Sequence, residues 1–310
     1  MAKSKTFLWP QGILIALLFL SASLSISLML FIKPNASNSS RGVAIAQGRG
    51  GININNLPAA KVGTQQRIEQ LKAAMLTSWE QEANTKGVTS GAPARFQGAT
   101  IKAGKVNQDQ KVIALTFDDG PWRETTSQVL DILKQNNIKA TFFVVGQNVK
   151  NYPTLVQRVI AEGHAIGNHT WHHWYHYMNP NAAAYEVKHT TEIIYQVTGV
   201  KTNLFRPPGG IMHNGLAAYA RNNQYAIVLW SSDSLDYSLP SVPNLVNNVF
   251  RNAQPGGIVL LHDGGGNRSQ TVQALPEIIS KFREQGYSFV TIPELLVMED
   301  KNQTLLANEK

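Results

Sequence analysis

The sequence predicts an α/β domain built on a parallel β-sheet, preceded by one apolar segment of membrane length. Three observations lead there. From residue 111 onward, short apolar runs alternate with helical stretches over about 190 residues, the pattern of strands joined by crossover helices. Polar and ionisable side chains recur where those runs end. Residues 13–32, "ILIALLFLSASLSISLMLFI", carry no charge. A parallel sheet is either open or closed into a (β/α) barrel. In a barrel the C-terminal strand ends share one face, and in an open sheet they meet at one crevice. Asp118, Asp119, His169, Arg206, Asp233 and His262 all stand at such ends, and their convergence favours the barrel.

The segment 13–32, at about 1.5 Å per residue, spans a hydrocarbon core of about 30 Å. A cleaved signal peptide has a shorter apolar core, about 7–15 residues. The best cleavage candidate, Ala44-Ile45-Ala46, lies well downstream, so residues 1–32 read as a cytoplasmic tip and an uncleaved anchor. Lys3 and Lys5 face Lys33, Arg41 and Arg49 across the segment, and the positive-inside rule does not settle its orientation. Residues 33–109 read as a stem, rich in Asn, Ser and Gly at first. Within it, Ile68, Leu71, Met75 and Trp79 have helical spacing, which predicts an amphipathic helix over 64–83, and 84–110 reads as a second linker. The domain proper is expected at 110–298, with a polar tail at 299–310.

Composition narrows the chemistry. Of 310 residues, 43% are hydrophobic and 15% charged, enough for a substantial core. The chain has no cysteine, which excludes disulfides, thiolate nucleophiles and Cys-ligated zinc. The net charge of +8 suggests nucleic acid until its distribution is considered. Residues 1–110 hold 12 Lys/Arg against 4 Asp/Glu, whereas residues 111–300 hold 14 against 15. The domain is nearly neutral, so no nucleic-acid partner is expected. No G-x-G-x-x-G follows a strand, and there is no phosphate loop or G-x-S-x-G elbow, so neither a nucleotide cofactor nor a serine nucleophile is supported.

The expected strands, in order, are 111–116, 140–146, 164–168, 203–208, 226–231, 257–262 and 287–292, with helices such as 125–137 and 271–286 between them. The first strand runs into "TFDDGP" (116–121), where two adjacent carboxylates would repel unless one holds a cation and the other serves as a base. After the third comes "GNHTWHHWYHY" (167–177). Helical spacing would put His169 and His173 on one face, able to reach one metal, with His172 and His176 as bystanders. Asp119 is a natural third ligand, since two His and one carboxylate leave a position open for water and substrate. "FRPPGG" (205–210) joins Arg206, which could pair with Asp118, to a stiff diproline and two glycines that admit close backbone approach. "WSSDSLDY" (230–237) and "LLHDGGG" (260–266) supply His262 backed by Asp233 or Asp236, a pairing that would raise the imidazole pKa and suit a general acid.

These five ordered segments resemble the polysaccharide deacetylases, the NodB-homology group also called carbohydrate esterase family 4, over roughly residues 110–295. The resemblance implies a distorted (β/α) barrel of the deacetylase type. It implies Asp118 as base and Asp119, His169 and His173 as metal ligands, with Arg206 orienting Asp118. It further implies His262 as acid with Asp236 as its partner. The cofactor so implied is a divalent metal ion, zinc first, with cobalt or another divalent ion as the alternative. The reaction is hydrolysis of an N-acetyl amide on a polysaccharide, with the oxyanion held at the Gly209 N–H. Two positions depart from the family: Gly209, after Pro208, stands where Tyr is frequent, and Tyr237 stands where Trp is usual. Both bear on the sugar groove, and the Gly209 change implies a lost groove wall. With the anchor, the resemblance points to peptidoglycan outside the membrane. Chitooligosaccharide, an O-acetyl ester on xylan, a small cyclic amide and a non-catalytic glycan-binding module are the alternatives. Secretion after cleavage is the alternative localisation.

Overall fold

The computed structural model describes residues 91–107 and 109–308, with four earlier positions, Gln66, Arg67, Gln70 and Ala74, each helical. The apolar segment 13–32, residues 33–63 and most of the expected helix 64–83 lie outside the described residues. Among the described residues no helix is long and apolar enough to cross a membrane.

The strands are β1 (Thr100–Ile101), β2 (Val112–Asp118), β3 (Thr141–Val144), β4 (Ala165–Asn168), β5 (Leu204–Phe205), β6 (Ala226–Val228), β7 (Ser232–Asp233), β8 (Gly257–His262) and β9 (Ser288–Phe289). They lie in the order β1-β6-β5-β4-β3-β2-β8-β7, every ladder parallel, with β9 on the start of β2. The sheet curls into a half-barrel. Its sides are joined by one stretch of chain, because β6 pairs with β5 and its continuation, β7, pairs with β8. The helices are α1 (Thr125–Gln135), α2 (Gly146–Asn151), α3 (Pro153–Ala161), α4 (Pro180–Thr198), α5 (Leu216–Asn222), α6 (Val242–Arg251), α7 (Ser269–Glu284) and α8 (Ile292–Asn308).

Period-two alternation along β2 sorts its side chains between two cores. Ile113, Leu115 and Phe117 pack under the helices with Leu130, Leu133, Ile278 and Phe282. Val112 and Ala114 face the inside of the curl, with Phe143, Ile258, Leu295 and Leu296. Thr116 and Asp118 continue that inner row, and their partner Arg206 is likewise fully buried. The register along β2 and β8 sets Asp118 beside His262 at the strand ends.

Four expectations need correction. The packed region begins before residue 110, because Phe96 and Ile101 are buried and β1 pairs with β6. Of the expected polar tail at 299–310, residues 299–308 form the end of α8, where Glu299 accepts from the Lys105 N–H at 2.9 Å and pairs with Arg95 at 3.7 Å. The histidine segment is an irregular loop rather than a helix, and Thr170 and His173 have φ of 69° and 61°. The expected strand at 203–208 also stops at Phe205, since Pro207 and Pro208 have no N–H for a ladder.

Candidate active site

Asp118 ends β2 on its inner face, where Arg206 meets it. The Arg206 Nη1 donates to Asp118 Oδ1 at 2.7 Å and to Thr116 Oγ1 at 2.8 Å. Its remaining donors go to the carbonyls of Val228 at 3.0 Å and Leu229 at 3.1 Å, and the guanidinium lies 4.1 Å above the Phe143 ring. The planar, rigid fork therefore fixes one oxygen of Asp118 and leaves Oδ2 directed to the pocket histidine His169, 3.6 Å from its Nε2.

Asp119, one residue on, turns at φ 72° toward the histidine loop. Its Oδ1 lies 3.4 Å from His169 Nε2 and 3.0 Å from His173 Nε2, and one ligand atom from each of the three lies within 4.8 Å of the others. Burial favours the neutral acid, but the two histidines beside it draw the Asp119 pKa well below the usual carboxylate range. The group fits a divalent ion on three counts. Asp119 Oδ1 is buried and lacks a hydrogen bond. The His169 Nδ1 donates to the Arg206 carbonyl at 2.7 Å, which leaves Nε2 free as a ligand. Two imidazoles and one carboxylate are also the donor set of an open divalent site.

His262 ends β8. Its Nδ1 donates to Asp236 Oδ1 at 2.6 Å, and its backbone N–H donates to Oδ2 at 2.8 Å. Thr271 Oγ1, on α7, also donates to Oδ2 at 2.8 Å. Burial opposes the charged imidazole, but the hydrogen bond and charge of Asp236, with the charges of Asp118 and Asp119, lift His262 to about 9. Burial likewise opposes the ionised Asp236, and its bonds with His262 and Thr271 bring it below the usual carboxylate range. Of the two aspartates open at the sequence level, Asp236 is therefore the partner. Asp233 instead accepts from the Leu235 N–H at 2.9 Å and from Tyr237 Oη at 3.4 Å, and holds the turn.

These groups share a cavity of about 570 Å³. Asp118, Asp119, His169, His173, Gly209 and His262 line it, and Tyr237 stands at its rim perpendicular to His262. Pro208, itself buried, opens the turn that presents Gly209. His172 also reaches the cavity wall, whereas His176 stays exposed against Trp174. Sequence reasoning missed the supports behind the site. Glu186 of α4 is buried and accepts from the N–H groups of Trp171 at 2.9 Å and His172 at 2.8 Å, and from His172 Nδ1 at 2.5 Å. Asp263 is wholly buried, and its pKa rises to about 7 through burial, against the pull of Thr126. Arg268 ties the glycine loop through the carbonyls of Gly264, Gly265 and Asn267. Only Thr116 and Asp263 had a sequence signal, as immediate neighbours of the motif residues.

A family model for polysaccharide deacetylases matches residues 105–228. The peptidoglycan-N-acetylglucosamine deacetylase of Bacillus cereus is 44% identical over 194 residues, which cover 62% of this chain and 91% of that protein. The chain belongs to the polysaccharide deacetylases. A chitooligosaccharide deacetylase of Rhizobium leguminosarum bv. trifolii is 37% identical over 202 residues, covering 61% of this chain and 94% of that one. Among solved structures, a peptidoglycan N-acetylglucosamine deacetylase superposes with a TM-score of 0.59 at 38% identity, over 63% of this chain and 92% of its own. The curled parallel sheet described above is thus the fold of carbohydrate esterase family 4.

Proposed function

We propose that this polysaccharide deacetylase is a metal-dependent amide hydrolase that removes N-acetyl groups from N-acetylglucosamine units, with peptidoglycan as its polymer. The observation that carries the reading is a carboxylate and an imidazole in one cavity, each held by its own buried partner. Asp118, held by Arg206, stands in register beside His262, which is held by Asp236. A carboxylate that accepts a proton and an imidazolium that donates one are what amide hydrolysis needs from a protein.

Asp119, His169 and His173 would hold the divalent ion, zinc in our reading. When bound, that ion supplies Lewis-acid charge for the acetyl carbonyl and the attacking water. Asp118 Oδ2, left free by the Arg206 fork, accepts the water's proton. The Gly209 N–H, presented at φ 59°, donates to the developing oxyanion. His262 then protonates the departing sugar nitrogen, because an amine anion is too poor a leaving group. Asp236 stabilises the imidazolium until that transfer and fixes which ring nitrogen faces the substrate.

The relatives' names motivate the polymer, and the anchor read in residues 13–32 would hold the domain beside a cell wall, outside the membrane. Chitooligosaccharide is the second substrate in this reading. Acetate release from peptidoglycan and from N-acetylglucosamine oligomers, with and without a chelator, tests it. Activity lost on chelation and regained with zinc is expected, with peptidoglycan favoured. A folded, zinc-loaded protein that releases no acetate from either would sink the amide reading in favour of an O-acetyl ester.

A further inference from the structure

We propose that Tyr175 is the sugar-stacking wall of this cavity, the surface on which the pyranose ring bearing the acetyl group rests; this builds on the deacetylase reading above. Tyr175 lines the cavity yet remains 56% exposed, with its ring perpendicular to that of His173 at 5.1 Å between centroids. Its hydroxyl has no hydrogen-bond partner among the described residues, so nothing polar holds the ring in place. What holds it is the loop. Glu186 pins residues 171 and 172 through three hydrogen bonds, and His172 stacks on Trp174 at 4.1 Å and 7°. On the other side, Asn214 Nδ2 donates to the Tyr175 carbonyl at 3.4 Å, and its own carbonyl accepts from the Met178 N–H at 2.8 Å.

The ring also occupies the space that a side chain at residue 209 would take. A Cβ on Gly209 would stand 2.9 Å from Tyr175 Cε1, and one on Gly210 would stand 3.0 Å from Trp230 Cη2. The two glycines therefore pass between two aromatic rings that face the same cavity. The groove wall that the sequence comparison counted as lost with Gly209 is supplied from the histidine loop. A rigid aromatic surface offers contact to the apolar C–H face of a pyranose at little entropic cost, since only two side-chain torsions need be fixed. Its place beside His173 sets that sugar next to the metal ligands.

The test compares Tyr175→Ala and Tyr175→Phe in the full chain, with the N-acetylglucosamine tetramer as probe. Stacking predicts a KM raised about 10-fold or more in the alanine variant, with kcat lowered by less, and recovery in the phenylalanine variant. Zinc affinity, titrated separately, is expected to match the wild type in both. A KM unchanged by alanine, or a loss confined to kcat and zinc affinity, would overturn the proposal, since the ring would then act only through His173. Calorimetric binding of the tetramer to Asp118→Asn, with and without Tyr175→Ala, reads the contact without turnover. An alanine effect there sustains the stacking wall even if wild-type acetate release fails, and its absence overturns the wall alone.

Discussion

Arg206 is the residue on which the inner face of the curl depends. It is fully buried, and removing it would strand Asp118 together with the Thr116 hydroxyl and the Val228 and Leu229 carbonyls. Breaking a buried ion pair on one side costs about 3–5 kcal/mol, so Arg206→Ala should lower the urea midpoint accordingly; an unchanged midpoint would contradict the account. His262 has a pH signature. Its folded pKa, about 9, lies above the ordinary histidine value of 6.5. The stability owed to the pair is thus complete below about 6.5 and disappears as pH rises through about 9. In the proposed mechanism His262 must be protonated, so turnover also falls on that alkaline side. A cation held by Asp119 would offset the share contributed by Asp118 and Asp119, but not that of Asp236. Asp236→Asn should therefore move the alkaline limb of kcat toward neutral pH, and a limb that stays in place would rule out this pairing.

At the scale of elements, loops rather than helices assemble the candidate ligands. His169 leaves β4 with its N–H on the Val144 carbonyl, and His173 turns back with its N–H on Thr170 Oγ1 at 3.1 Å. Helical spacing predicted that His169 and His173 meet, and they do, but through a tight turn with positive φ rather than a helix. Opposite them, the glycine loop after β8 packs directly on Asp119. A Cβ on Gly265, whose φ is 72°, would collide with Asp119 Oδ2, and one on Gly264 with the Asp119 carbonyl. Gly265→Ala should displace that carboxylate and weaken zinc binding about 10–100-fold by calorimetric titration; unchanged affinity would show that the loop gives way instead.

For the whole molecule, the boundary of the folding unit follows from packing. Phe96 and Ile101 fill the inner core beside Leu295 and Leu296, and Arg95 and Lys105 tie to α8 through Glu299. A chain starting at residue 91 should melt like the full protein. One starting at residue 111 loses the buried Ala92, Phe96 and Ile101, of which the two larger are worth about 1.5–3 kcal/mol each, so its melting temperature should drop by several degrees or more. Equal melting temperatures for the two would show that β1 and its flanks add nothing.

The candidate site was legible because its residues are local. "TFDDGP", "HTWHH", "RPPGG", "DSLDY" and "LLH" each place an unusual polar residue just after an apolar run, and the end of a parallel strand is where such a residue can reach a cavity. The strand over 257–262 was readable to the residue, since a run buried on both faces has little tolerance for anything but apolar side chains. What the residues alone could not decide is pairing over distance. Whether Asp233 or Asp236 backs His262, that Asp118 lies beside His262, and that Tyr175 fills the space over Gly209 all depend on register and loop path. Those follow from contacts between segments far apart in the chain, and no local pattern encodes such contacts until the sheet has curled.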